Sequence, residues 1–364
     1  LSRRQRQMCI RDRYYTLTLV NKMKLSRLIL CFLCLGLGNV SDAFAAADAG
    51  LRYIQTRGTV RCGTDLRSKF YAYKDEDGFW HGFDADICKA ISLAVFNRSD
   101  RFTMVNVSQE DITRALSTNK IDVMLSSAPF SAEREITYKS MPVDILYYDQ
   151  QMFLARKIEG ATSMEAYKGA KVCVVSDTDD YHNLVNYSRA YKLDLVPLPF
   201  KLQQRATEAF LLNRCPLLTG NAIYLKNILT ARFDGSKDVE LLPESIALKP
   251  VYAIVAKDNN TLRIIVKWIF NALKLAEEHN INSKNVNVYI GSKDISVQNL
   301  LGDNPHLWNK FGLNPNWLRK AIEDLGNYGE IYERNIGKDS PLMMERRENN
   351  LLRNRGLISS QPFL

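Results

Sequence analysis

The feature that most constrains this chain is an order of strands and helices that runs once from residue 59 to 125 and begins again after Gln151. Thr59-Val60-Arg61-Cys62-Gly63-Thr64 reads as a short strand, Asp75-Glu76-Asp77-Gly78 as a loop tip, and Phe79–Phe83 as a second short strand. Asp86–Phe96 places Ile87, Ala90, Ile91 and Ala94 on one helical face. A strand over Phe102–Val107, a helix over Glu110–Thr118 and a buried strand over Ile121–Leu125 complete the first run. The second run has strands at Lys171–Val175, Asp194–Leu198 and Leu217–Thr219, with helices over Asp180–Tyr191 and Leu202–Leu212. Alternation of this kind predicts α/β units whose ligand positions fall at the carboxyl ends of strands.

A strand at Val251–Ala256 and a long amphipathic helix at Arg263–His279 then return the chain to the first unit. Lobe two is therefore expected to be an insertion held by two crossover strands, left near Tyr148–Phe153 and rejoined near Leu248–Val255, a hinge suited to closing on a ligand. The expected boundaries are 50–150 for the first part of lobe one, 151–247 for lobe two, and 248–364 for the rest of lobe one with a C-terminal helical arm. Pro315-Asn316-Trp317 starts a helix that Gly326 and Gly329 interrupt, and the charged stretch Met343–Arg355 reads as a solvated helical arm. At 364 residues the chain is long enough for each lobe to bury its own core.

Charge argues against a nucleic-acid partner. Of the formal +9, residues 1–45 hold +6, leaving +3 over the remainder. Met23 opens an export signal over 23–45, with Lys24 and Arg27 before the apolar run Leu28–Leu37 and Ala43-Phe44-Ala45 as the cleavage site, Ala47 being the near alternative. Residues 1–22 read as a non-native upstream segment. Cys62, Cys88, Cys173 and Cys215 follow the leader, and four cysteines allow three pairings. Local spacing favours Cys62–Cys88 and Cys173–Cys215, each joining a lobe's first strand to an element close behind it. A zinc site is the alternative, but among these four cysteines there is no C-x-x-C and no nearby His at ligand spacing, so neither metal nor cofactor is expected.

Four segments together resemble the periplasmic polar-amino-acid-binding proteins of ABC transporters, in particular the larger general L-amino-acid-binding type. They are Arg57-Gly58-Thr59-Val60-Arg61-Cys62-Gly63, the G-F-D-x-D element Gly82-Phe83-Asp84-Ala85-Asp86, the crossover Tyr147-Tyr148-Asp149-Gln150-Gln151, and the terminal stretch Gly326–Gly337 followed by Ser340-Pro341-Leu342. The resemblance spans Leu51 to Leu357. It implies a type II periplasmic binding fold and a ligand held between lobes without chemical change. It also implies a periplasmic location, a permease partner and a monomeric state.

By that resemblance the ligand carboxylate pairs with an Arg, and Arg134, after the Ile121–Leu125 strand, matches the position. A guanidinium offers two parallel donors to a carboxylate, although Arg134 also suits a surface place within Glu133-Arg134-Glu135. Ser127 suits either the carboxylate cradle or a simple turn, and Pro129 stands where similar binders carry a hydroxyl. Asp65 is either a contact to the ligand side chain or a turn-capping residue. In lobe two a Gly-Thr-Thr turn is replaced by Asp177-Thr178-Asp179-Asp180, of which Thr178 remains usable. Asn221 stands at the expected ammonium partner, where losing the charge weakens the contact by roughly 1.5–3 kcal/mol. Asp179 is the candidate substitute. Phe70, Tyr71, Tyr73, Trp80 and Phe130 suit core packing better than a cleft floor.

An enzyme on this fold would need a poised acid or base. The histidines, His81, His182, His279 and His306, are scattered, and neither G-x-S-x-G nor H-E-x-x-H occurs, so a binder is expected rather than an enzyme. A receptor that reports its ligand to a sensor, or a divergent binder with another ligand, is the alternative.

Overall fold

Strand β1 (Val60–Thr64) is buried on both faces, as a parallel strand covered by helices must be. The computed structural model describes residues 50–66, 69–108, 111–125, 135–136, 140–160, 163–304, 308 and 312–363, and residues 54–364 form one compact unit. After β1 come the hairpin strands β2 (Tyr73–Lys74) and β3 (Trp80–His81), helix α1 (Phe83–Phe96), β4 (Phe102–Asn106), α2 (Ile112–Ser117) and β5 (Val123–Met124). The 17-residue β6 (Ser140–Arg156) leads to β7 (Lys171–Val175), α3 (Asp179–Ala190), β8 (Val196–Phe200), α4 (Gln203–Leu211) and β9 (Leu217–Asn221). Then follow α5 (Ala222–Arg232), β10 (Val239–Leu241), β11 (Ala247–Ala256) and α6 (Asn260–Glu278). Three shorter helices end the series: α7 (Ile295–Leu301), α8 (Trp317–Leu325) and α9 (Tyr328–Asn335).

Among the described residues the main sheet has the order β4-β1-β5-β11-β6-β9-β7-β8, with β10 also on β6. β4, β1 and β5 are parallel, as are β9, β7 and β8. β6 and β11 run antiparallel to each other between the two sets. From Gln151 onward β6 pairs with β9 as well. Two α/β lobes thus share two crossover strands, and the C-terminal region is helical, as the sequence implies.

The second lobe shows why its strands read as apolar runs. Met152 and Leu154 of β6 pack with Cys173, Leu218 and the buried side chains of α4 and α5. Phe153 and Ala155 point the other way, onto Val172, Val174, Leu217 and Leu184 of α3. Both cysteine pairs form as spacing favours: Cys62–Cys88 ties β1 to α1, and Cys173–Cys215 ties β7 to the residue before β9, with Cα separations of 6.2 and 5.8 Å.

Two local differences have physical causes. The expected strand Phe79–Phe83 is only Trp80–His81, because α1 already starts at Phe83. Gly82 makes this possible: at φ +114° an added Cβ would lie 2.4 Å from the Tyr71 carbonyl oxygen. The stretch Met343–Arg355 is not a solvated helix. It forms two short 3₁₀ turns, Arg347–Asn349 and Leu352–Asn354, and two of its arginines are anchored on α6: Arg346 Nη1 donates to Glu277 at 2.6 Å and Arg353 to the Glu278 carbonyl at 2.6 Å.

Candidate functional site

Polar groups at the carboxyl ends of the strands join through the crossover strands. At the end of β1, the Thr64 hydroxyl donates to Asp84 at 2.5 Å, and both residues are buried. Asp84 stands in the first turn of α1, where the helix dipole favours a carboxylate. Its motif partner Asp86 accepts from Arg334 and Asn335 of α9, at 2.9 Å each. The G-F-D-x-D element and the terminal stretch are therefore halves of one interaction.

Next in line are Tyr71, Tyr147 and Asp149. Burial raises the pKa of both phenols, and the Asp149 carboxylate adds to the shift in each. Asp149 is itself buried, and desolvation pushes its pKa up to about 6. Its Oδ1 accepts from the Gln150 N–H at 2.8 Å and the Ile223 N–H at 3.4 Å, the latter in the first turn of α5. These contacts and the nearby Lys249 ammonium limit the rise.

Lys249 lies opposite Asp149 in the β6–β11 ladder. Only 8% of its side chain is exposed, and its Nζ is ion-paired with Asp180 and donates to Asn221 Oδ1 at 2.6 Å. Gln151 fixes the same corner: its Nε2 donates to the Asp180 carbonyl at 2.9 Å and the Thr219 hydroxyl at 3.2 Å, and its Oε1 accepts from Asn183 at 3.0 Å.

The acidic turn resolves into separate tasks. Asp177 is exposed and pairs with Lys201 at 2.7 Å. Thr178 is the N-cap of α3, and its hydroxyl donates to the Val175 carbonyl at 2.8 Å. Asp179 is exposed in the first turn of α3, while Asp180 turns inward to Lys249. Asn221 ends β9 with its oxygen engaged by Lys249. Asp65 follows β1, partly buried, and acts electrostatically on the Tyr71 hydroxyl. Arg134 and Ser127 lie outside the described residues, as do Pro129 and Phe130.

Sequence reading missed Lys249 and the inward Asp180. Only the strand register brings residues 149, 180, 221 and 249 together; a Lys inside the apolar run Ala247–Ala256 was the available signal. Phe70 is buried, as expected of core packing. A surface cavity of about 340 Å³ lined by Ser188, Arg189, Lys192 and Asp194 sits at the far end of α3, away from these strand ends. No group of residues suited to holding a metal occurs among the described residues.

This fold, with polar groups gathered where two α/β lobes share crossover strands, is that of the type II periplasmic binding proteins. The sequence profile of the bacterial extracellular solute-binding proteins, family 3, matches residues 60–286, and the chain belongs to that family. It is 30% identical to the general L-amino acid-binding periplasmic protein AapJ of Rhizobium johnstonii, over 88% of this chain and 94% of the relative. It is 28% identical to the putative amino-acid ABC transporter-binding protein YhdW of Escherichia coli K12, over 94% and 99%. A periplasmic binding protein from Brucella ovis with glutathione bound superposes with a TM-score of 0.78 at 30% identity, covering 86% of this chain and 99% of that one.

Proposed function

We propose that this chain is exported to the periplasm, its 23–45 leader removed, and captures an amino acid or amino-acid-like carboxylate for an ABC permease. The single observation that carries this reading is the polar junction at the strand ends, where Asp84, Asp149, Asp180, Asn221 and Lys249 converge on the crossover strands. This is the region in which open α/β sheets take ligands. The relatives' names support the ligand class, since they span L-amino acids and glutathione, all of which carry a carboxylate and a nitrogen.

In this reading lobe one is 50–150 with 248–364, lobe two is 151–247, and the protein acts as a monomer. Arg134 and Ser127 hold the ligand carboxylate, and Asp65, Thr178, Asp179 and Asn221 line the site. The ligand leaves unchanged, because the work is done by differential contacts in an open and a closed state.

Isothermal titration of the purified mature chain against L-amino acids, dipeptides, opines and glutathione tests the reading. Saturable one-to-one binding of at least one probe is expected, with mass spectrometry recovering it intact. Binding of none overturns the ligand class, and turnover overturns the binder. Arg134→Met is expected to weaken the bound probe by roughly 10- to 100-fold, as loss of a charge-assisted pair requires; unchanged affinity would remove Arg134 from the site.

A further inference from the structure

The acceptors at the ends of β7 and β9 are the groups a ligand nitrogen would meet from lobe two, since ligands of open α/β sheets lie beyond the carboxyl ends of strands. Here those acceptors are already engaged from within. Lys249 reaches across from β11 to the Asp180 carboxylate, in the first turn of the helix after β7, and to Asn221 Oδ1, on the last residue of β9. The arrangement is buried on both sides, with 8% and 13% of the Lys249 and Asp180 side chains exposed. Gln151 holds the Asp180 backbone in place through its carbonyl, and Asn183 holds Gln151. Asp149, directly opposite Lys249, adds a second carboxyl beside the ammonium.

A buried ammonium paired in this way is costly to displace, because moving it leaves Asp180 uncompensated. A second ammonium brought to the same acceptors would meet a fixed positive charge.

We propose that Lys249 is a specificity-determining residue: a resident ammonium that fills the cation subsite and shifts selection toward carboxylates whose nitrogen is acylated or absent. This rests on the reading of the chain as a binder of amino-acid-like carboxylates and names the class within it. Asp180 positions Lys249, and Asn221, which lines the site, gives its Oδ1 to Lys249 rather than to a ligand nitrogen.

The test compares matched probes by isothermal titration: L-glutamate with N-acetyl-L-glutamate and 2-oxoglutarate, and glutathione with N-acetylglutathione. The wild type is expected to bind the acylated or deaminated member at least as tightly as the free amine. Lys249→Met, which frees Asp180 and Asn221, is expected to move the ratio about tenfold or more toward the free amine, and Lys249→Arg to hold the wild-type ratio. Lys249→Met combined with Asp180→Asn leaves no unpaired charge at position 180 and serves if the single variant does not fold; it is expected to shift the ratio in the same direction, by about threefold. A wild type that favours the free amine tenfold, or a ratio unmoved in the folded Met variant, overturns the inference and leaves the binder reading standing. Binding of none of the probes, including those of the wider panel above, overturns both.

Discussion

The Asp149 carboxyl has one oxygen held by two backbone N–H groups, and its other oxygen, Oδ2, is buried without a hydrogen-bond partner. Desolvation accordingly lifts its pKa from 3.8 to about 6. The folded chain then holds this proton more tightly than the unfolded chain does. Stability from the protonated form is fully present below pH 3.8 and is lost as pH rises through 6. A shift of about two pKa units corresponds to roughly 3 kcal/mol. Asparagine keeps the Oδ1 acceptor and cannot ionise, so Asp149→Asn is expected to gain on the wild type by most of that amount between pH 4 and pH 8. Urea unfolding at pH 4, 6 and 8 measures the gap. A gap of constant size would mean that Asp149 ionises as readily in the fold as in the unfolded chain.

At the scale of elements, β6 is held from its open side by the C-terminal segment. The N–H of Tyr148 donates to Asn349 Oδ1 at 2.7 Å, and the Tyr148 carbonyl accepts from Asn349 Nδ2 at 2.8 Å. Both groups turn away from β11, so Pro250, paired opposite Tyr148, loses no ladder bond by lacking an N–H. Asn349 also donates to the Tyr332 hydroxyl at 3.3 Å, and Arg346 lies 5.7 and 5.6 Å from the Tyr328 and Tyr332 rings. Asn349→Ala is expected to cost about 1–3 kcal/mol, since two part-buried backbone groups lose their partners. Hydrogen exchange at the Tyr148 amide should quicken more than at the β7 amides; uniform acceleration would show that Asn349 acts only through global stability. The sequence could not display this strap. A charged and polar stretch looks alike whether its side chains meet water or partners about 70 to 200 residues away, as those of Arg346 and Asn349 do. β7, by contrast, lies at its expected residues, because Val172, Cys173 and Val174 are apolar and buried on both faces. Helix α5 went unread because its buried Ala222, Ile223, Leu225 and Ile228 alternate with Lys226 and Asn227 in a weak pattern. Of the candidate residues, Asp65, Thr178 and Asn221 were legible as strand- and helix-end residues. Lys249 was not, since its partners are set by the pairing of β6 with β11.

For the whole molecule, the question is whether two lobes with separate cores unfold separately. Each disulfide lies within one lobe, joining cysteines 26 and 42 residues apart, and neither ties the lobes together. Loop-closure entropy assigns them about 3.5 and about 4 kcal/mol respectively. If the lobes were independent, removing one bond would lower only its own lobe's transition. The sheet argues otherwise. β6 contributes residues 140–151 to the β11 ladder and residues 151–156 to β9 and β10, so neither lobe can lose β6 without opening the other. The Lys249–Asp180 pair crosses the same junction, and breaking it exposes a charge on each side. The variants Cys62→Ala/Cys88→Ala and Cys173→Ala/Cys215→Ala are therefore each expected to shift a single urea transition to lower concentration, by the free energies above. Far-ultraviolet circular dichroism and tryptophan fluorescence follow the transition, and the two curves should coincide. Two resolved transitions in either variant would mean that the crossover strands connect the lobes without coupling their stability, and that closure on a ligand moves two bodies that fold apart.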